Sequence, residues 1–295
     1  MVRLCILLIA VVTAGGRVRS ADPRPQVLDL SADSANEVGT LGLTIDQQTF
    51  LLPAPTMQLG MTDQQQQEAL RLAADKYPLE RFTRDSIVSP FVFQRTNLTD
   101  GEGQRIGYQL DVWFVAYGSI PELVERDLLR RLTATDQTDD GEGAALDAEE
   151  LAQRKITIVQ PEGITRGLFQ FSAPLLDRVQ VAAVAGTEQV VRNDLLRGVI
   201  QIDPRFDADP TYPNRWWPED ESSDRFGVAA VAYHGFVGYA QATQMIEPEG
   251  AMLVECHALL HEPYEWFDGR ALLASKLPLL VQDNVRGFRR ALSRR

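Results

Sequence analysis

The sequence predicts an α+β fold, a curved antiparallel β-sheet covered on one face by a long C-terminal amphipathic helix. Two patterns carry this. Ile106, Tyr108, Leu110, Val112, Phe114 and Ala116 recur at a period of two, as in a strand with one face indoors. Leu272, Leu273, Leu277, Leu280, Val281, Val285 and Phe288 recur at steps of three and four, giving an apolar stripe on a helix that follows Gly269 and runs to about Leu292. Between them lie strand-like runs broken by Gly, Pro and Asp. Such a sheet becomes compact by curving around the helix that covers it.

Residues 1–20 have a short basic start, an apolar run from Leu4 to Thr13 and the small-residue site Val18-Arg19-Ser20, the layout of a cleaved signal peptide. The apolar run is shorter than the roughly 20 residues a spanning helix needs, and no later segment qualifies. An exported protein, periplasmic or secreted, with no transmembrane helix in its mature chain is therefore expected. Residues 21–39, rich in Pro, Asp and Ser, read as a disordered leader, and residues 40–295 as a single domain. A helix is expected over 63–76, capped by Thr62 or Asp63, with a modest apolar face at Leu70, Leu72 and Ala73.

Residues 86–117 read as a hairpin around the polar turn 97–103. Its second strand turns Gly107, Gln109 and Asp111 away from the apolar face, before Trp113 and Val115 bring that side indoors too. Ser119 caps and Pro121 opens a helix through Leu132. The acidic segment 133–150 is expected to be a solvated insertion. A calcium loop built on Asp136, Asp139, Asp140 and Glu142 is the alternative, although their spacing lacks EF-hand order. Strands are expected at 156–159, 167–171, 179–185, 189–202, 226–233, 238–246 and 251–260, with a long aromatic loop over 203–224. Pro278 is expected to bend or split the last helix.

The chain has 29 basic and 41 acidic residues, a net charge of −12, and loss of residues 1–20 would remove three of its arginines. Such a surface repels phosphate backbones and excludes nucleic acid as a partner. The basic cluster around Arg286–Arg295 is read as complementing the negative end of the C-terminal helix. Cys5 falls in the signal peptide, so Cys256 stands alone and no intrachain disulfide can form. Set in an apolar strand, Cys256 reads as a buried small residue, not a nucleophile.

The pieces Gly238-Tyr239, Glu247-Pro248-Glu249-Gly250, Glu262-Pro263, Trp266-Phe267, Leu277-Pro278, Val285-Arg286 and Phe288-Arg289-Arg290 resemble, in their layout, the end of a START-type or polyketide-cyclase-like helix-grip domain. In that family a final hairpin, a loop and a long helix over a curved sheet enclose a lipid or other apolar ligand. The resemblance covers the C-terminal part only and implies a helix-grip-like fold with a ligand between sheet and helix. With the aromatic loop as a lip, the expected ligand-binding set is Tyr212, Trp216, Trp217, Tyr239, Trp266, Leu273 and Leu277. The whole chain also resembles uncharacterised secreted proteins of planctomycete-type bacteria, at Asp203-Pro204-Arg205-Phe206 and Ser275-Lys276-Leu277-Pro278, which bring no function with them.

Catalytic signatures are sparse. His234, His257 and His261 fall in one short region, and Glu255, His257 and His261 would share a strand face because their spacings are even, a weak set of metal ligands. G-x-S-x-G is absent, Ser119 reads as a helix cap, and the Gly-containing turns lie in a hairpin and an acidic loop, unlike a phosphate loop. No cofactor is expected. The leading reading is a non-enzymatic exported protein holding a lipid or apolar small molecule between sheet and helix. One alternative is an envelope structural or interaction protein contacting a glycan or protein through the aromatic loop. The other is a metal-dependent hydrolase using His257 and His261.

Overall fold

The computed structural model of the chain describes residues 27–125, 142–219, 231–233 and 235–293. The expected signal peptide, His234, Asp136, Asp139 and Asp140 of the calcium alternative, and most of the expected strand 226–233 lie outside these residues. The elements in chain order are β1 (Gly42–Ile45), β2 (Gln48–Leu51), α1 (Asp63–Ala74), α2 (Leu79–Phe82), β3 (Phe91–Thr99), β4 (Arg105–Tyr117), α3 (Ile120–Glu125), β5 (Glu142–Ala145), α4 (Ala148–Gln153), β6 (Ile164–Leu175), β7 (Val179–Arg192), β8 (Leu195–Ile202), β9 (Arg215–Pro218), β10 (Val231–Ala232), β11 (Phe236–Gln244), β12 (Ala251–His261) and α5 (Leu272–Ser293).

The fold is α+β, as the two periodicities predict. Among the described residues, β3 to β12 form one antiparallel sheet in the order β10-β9-β7-β8-β11-β12-β4-β3, with β6 and then β5 on the other side of β7. β12 pairs with β4 from Ala251–Tyr117 to His261–Gly107, which joins the N-terminal hairpin and the C-terminal strands in a single sheet. β7 changes partner along one edge. It pairs with β8 from Ala185 to Arg192 and with β9 from Val179 to Ala182.

Alternation assigns the faces. Leu110, Val112, Phe114 and Ala116 of β4, with Val254 and Ala258 of β12, point toward α5, which returns Leu273, Leu277, Val281, Val285, Phe288 and Leu292. Each buried Leu, Val or Phe among them stabilises the fold by about 2 kcal/mol. The pattern slips at one place, a register shift between Leu98 and Thr99. There Ile106 joins the cluster on the far face, and Gly107 is required because a Cβ would overlap the Leu260 carbonyl.

Several expectations need correction. Of the bend or split expected at Pro278, the split does not occur: α5 continues through the proline. Having no N–H, it cannot bond the Ala274 carbonyl four residues back, and Arg95 Nη1 donates to that carbonyl instead, at 3.1 Å. Residues 27–39 of the leader lie on the far face of the sheet, with Leu28, Leu30 and Val38 buried. Arg166 holds them there by donating to the carbonyls of Leu30, Ala32 and Ser34. The end of the acidic segment is folded. β5 pairs with β6, and Asp147 with Glu150 makes a capping box that starts α4. Residues 156–159 form no strand, although Val159 N–H bonds the Leu30 carbonyl. The aromatic loop contains β9, paired with β7, so Trp216 and Trp217 belong to the sheet.

Among the described residues no helix is long and apolar enough to cross a membrane.

Candidate functional site

The face of the sheet under α5 is lined by one apolar cluster rich in aromatic rings. Trp216 reaches it from β9 and Tyr233 from the residue after β10, while Tyr108, Leu110 and Ala258 come from the neighbouring strands. Trp266, Phe267, Leu273, Ala274 and Leu277 come from the segment that opens α5. A short 3-10 turn, Tyr264–Trp266, follows Pro263 and buries the indole of Trp266. The backbone then passes Gly269 at φ 72°, where a Cβ would overlap the Tyr264 ring. Trp266 stands edge-on to Trp216 at 6.1 Å between centroids and stacks on Tyr233 at 5.4 Å.

Trp216 Nε1, Trp266 Nε1 and Glu262 Oε2 are buried here without a hydrogen-bond partner among the described residues. Glu262 follows β12, and its other oxygen accepts from Arg105 Nη2 at 2.6 Å and from the Tyr108 hydroxyl at 3.3 Å. Burial raises the pKa of Glu262 although Arg105 and the Tyr108 hydrogen bond oppose the rise. Burial, and next the Glu262 charge, push the Tyr108 phenol up to about 12 and raise that of Tyr233 as well. Protein interiors leave few polar atoms unpaired. An acceptor could satisfy the two indole N–H groups, and a donor the free carboxylate oxygen.

Of the seven residues expected to line a ligand, Trp216, Trp266, Leu273 and Leu277 converge in this cluster. Tyr239 does not. It lies on the opposite face of β11 and donates its hydroxyl to the Pro53 carbonyl at 3.0 Å. Tyr212 packs against that far-face cluster too. Its hydroxyl donates to Glu150 Oε1 at 2.7 Å, and Arg154 lies 5.2 Å from its ring centre. Trp217 follows Trp216 on the strand and so takes the other face, half-buried beneath Arg215 at 5.7 Å. Sequence reasoning missed Tyr108, Tyr233, Arg105 and Glu262 as site residues. Tyr108 was visible in the alternation of β4, whereas Arg105 and Glu262 meet only through the β4–β12 pairing.

The proposed metal ligands do not assemble. Glu255 and His257 share the far face, but His261, at the end of β12 beside the register shift, stacks on Tyr233 at 5.9 Å. His257 Nδ1 lies 2.7 Å from Asp111 Oδ1 and Nε2 lies 3.3 Å from Glu255 Oε2, so both ring nitrogens are engaged. Burial works to lower the imidazole pKa, yet the hydrogen bonds to Asp111 and Glu255 prevail and raise it. Glu255 also accepts from the backbone N–H of Thr56 at 2.8 Å and Met57 at 3.3 Å. The group is an ion-paired, hydrogen-bonded strut, with the ring nitrogens already committed to carboxylates. Among the described residues no set of three or more His, Cys, Asp or Glu is placed to hold a metal. The Cys256 thiol is pushed up to about 12, first by burial and then by the Glu255 charge, which makes it a poor nucleophile.

No protein-family model matches the chain. No curated protein matches it in sequence either, so nothing there bears on the expected likeness to planctomycete-type secreted proteins. Among solved structures it is similar to the human StarD13 (DLC2) lipid transfer and protein localization domain, at 10% identity over 70% of this chain and 90% of that one, with a TM-score of 0.35. It is similar to the STAR-related lipid transfer protein (fragment 25-204) from Xanthomonas axonopodis, at 12% identity over 67% and 98%, TM-score 0.37. CalU16 from Micromonospora echinospora follows at 9% identity over 70% and 97%, TM-score 0.21. Likeness at these scores carries no argument about this chain, whose α+β class stands on its own sheet and helix.

Proposed function

We propose that this is an exported, non-catalytic binding protein that takes a lipid or other apolar small molecule between the sheet and α5. The observation that carries the reading is the presence of three unpartnered buried polar atoms, Trp216 Nε1, Trp266 Nε1 and Glu262 Oε2, around a single aromatic cluster. A core built only for packing pairs such atoms or replaces them, because each one left dry costs about 1–3 kcal/mol. A ligand with an apolar body and a hydroxyl-bearing head would accept from the indoles and donate to the carboxylate. The aromatic segment gives less support to a glycan or protein contact, since the Tyr212 hydroxyl is already bonded to Glu150.

The test is native mass spectrometry of the protein purified from its own host, followed by titration of ligand-stripped protein with a long-chain alcohol, monitored by tryptophan fluorescence. A co-purified lipid, or a saturable fluorescence change weakened about tenfold by Glu262→Gln, is expected; tenfold corresponds to about 1.4 kcal/mol, the scale of one hydrogen bond to a charged group. Bare protein together with a flat titration would overturn the reading.

A further inference from the structure

The arginines near the C-terminus do more than complement the end of a helix. Arg289 points inward from α5 and donates from Nε to the Val115 carbonyl at 2.8 Å, from Nη1 to Ser89 and from Nη2 to Pro90. No carboxylate among the described residues pairs with it, and burial lowers its pKa to about 10. Arg286, half-buried, lies nearly one turn earlier on the same helix. Lys76, just beyond α1, and Arg81 in α2 reach the same place from the opposite wall, and together these elements bound an open cleft of about 380 Å³ at the outer edge of β3.

The charge balance of this cleft is unusual for a chain of net charge −12. Four cations line it against one carboxylate, Asp75. Among the described residues Lys76, Arg81 and Arg286 form no ion pair, the nearest cationic contact being that of Lys76 with the Tyr77 ring at 5.8 Å. A buried guanidinium held only by carbonyls adds a positive field that water screens weakly. Apart from Ser89 and Gln282 the remaining wall is built of apolar and aromatic residues, including Tyr77, Phe91 and Pro278, and the volume lies in the range of small-molecule sites.

We propose that this cleft binds a small organic anion, a phosphate or carboxylate on an apolar body. The head sits among Lys76, Arg81 and Arg286, and the body lies against Tyr77, Phe91 and Pro278. Guanidinium groups suit either head because their planar forks match its oxygens. The site is at the β3 edge, apart from Trp216, Trp266 and Glu262, and does not rest on the function proposed above.

The experiment is isothermal titration of the full chain with hexyl phosphate, with inorganic phosphate, and with phosphatidylcholine vesicles with and without phosphatidylglycerol. Hexyl phosphate is expected to bind at one site per chain, at least tenfold tighter than inorganic phosphate and more weakly as salt is raised. The Lys76→Gln/Arg81→Gln double variant should weaken it at least tenfold with the melting midpoint unchanged, because both side chains are exposed and make no hydrogen bond to the described residues. Trp266→Phe should leave this affinity unchanged, which separates the site from the one under α5. Binding to the phosphatidylglycerol vesicles alone, lost in the double variant, would support the site and identify a lipid headgroup as the source of the anion. Absence of binding to every probe, or binding that the double variant retains, would overturn the proposal.

Discussion

Replacing His257 with glutamine tests the strut that ties the far face of the sheet together. In the native chain the imidazole lies between Asp111 and Glu255, and all three side chains are buried. Tyr239 and Trp113 pack on the ring at 4.9 and 5.1 Å, leaving the two carboxylates as the charged groups in direct contact with it. Loss of the imidazolium leaves both carboxylates without a cation, and breaking a buried pair this way costs about 3–5 kcal/mol. The amide of the introduced glutamine can still donate to one of them, so a loss of about 3 kcal/mol is expected. The pH dependence follows from the raised pKa. A group whose pKa is higher folded than unfolded stabilises the fold fully below the unfolded value, about 6.5 for histidine. That contribution is lost as pH rises through the folded value, at no more than about 1.4 kcal/mol per pH unit. Urea unfolding measured at steps above about pH 6 should show native stability falling with rising pH, while His257→Gln is less stable throughout and lacks that fall. His234 and His261 remain in both proteins, so the difference between the curves isolates His257. Parallel curves, or a loss below about 1 kcal/mol, would refute the reasoning.

Two further substitutions examine how the sheet is covered. Arg166→Met removes a fully buried partner of Glu188 and the donor to three leader carbonyls; it should cost about 3–5 kcal/mol and make the bonds near Leu30 to Ser34 sensitive to protease, and continued protease resistance would count against the clamp. Arg95→Ala withdraws the donor to the Ala274 carbonyl that Pro278 leaves open. As Arg95 is largely exposed, water replaces part of the bond, and a loss of about 1 kcal/mol is expected with faster amide exchange confined to the first turns of α5. Unchanged exchange there would show that α5 needs no such donor.

The elements legible in the sequence were those whose pattern is local. From Tyr108 onward the period of two in β4, like the three-and-four steps in α5, survives folding because each reports which residues face one core. The leader was misjudged because its composition is polar, whereas it is held through its backbone by Arg166, whose position opposite Glu188 exists only once β6 pairs with β7. That Pro278 does not split α5 has a similar reason, since a residue on β3 supplies what the proline withholds. At the site, Trp266, Leu273 and Leu277 could be placed from the final helix and its approach. Tyr239 could not, because register decides its face: it pairs with His257 in a row that continues to Asp111. The same row sets His257 against Asp111, with Glu255 two residues along β12 on its other side, while His261 at the end of β12 stacks on Tyr233.

The two covered faces of the sheet differ in how their polar groups are settled, and that difference supports a ligand on one side and not the other. On the far face Gln201 bridges Leu28 N–H and the Gly42 carbonyl, Gln241 donates to the Met57 carbonyl, and Arg166 and Asp111–His257–Glu255 are bonded on several sides, while Arg197 Nε and Arg215 Nε are left open. Those of Gln201, Gln241, Arg166 and Glu255 that run to backbone between Leu28 and Met57 would be stranded by removing that cover, at a cost of about 1–3 kcal/mol each. Under α5 the cover is held by apolar side chains, together with the donor bonds of Arg95, Arg105 and Arg289, and the two indole nitrogens and one Glu262 oxygen it encloses are left open. Apolar contact is non-directional and re-forms against any apolar surface of suitable shape. A ligand can therefore exchange with side chains beneath α5 and gain hydrogen bonds there, whereas on the far face it would have to break them.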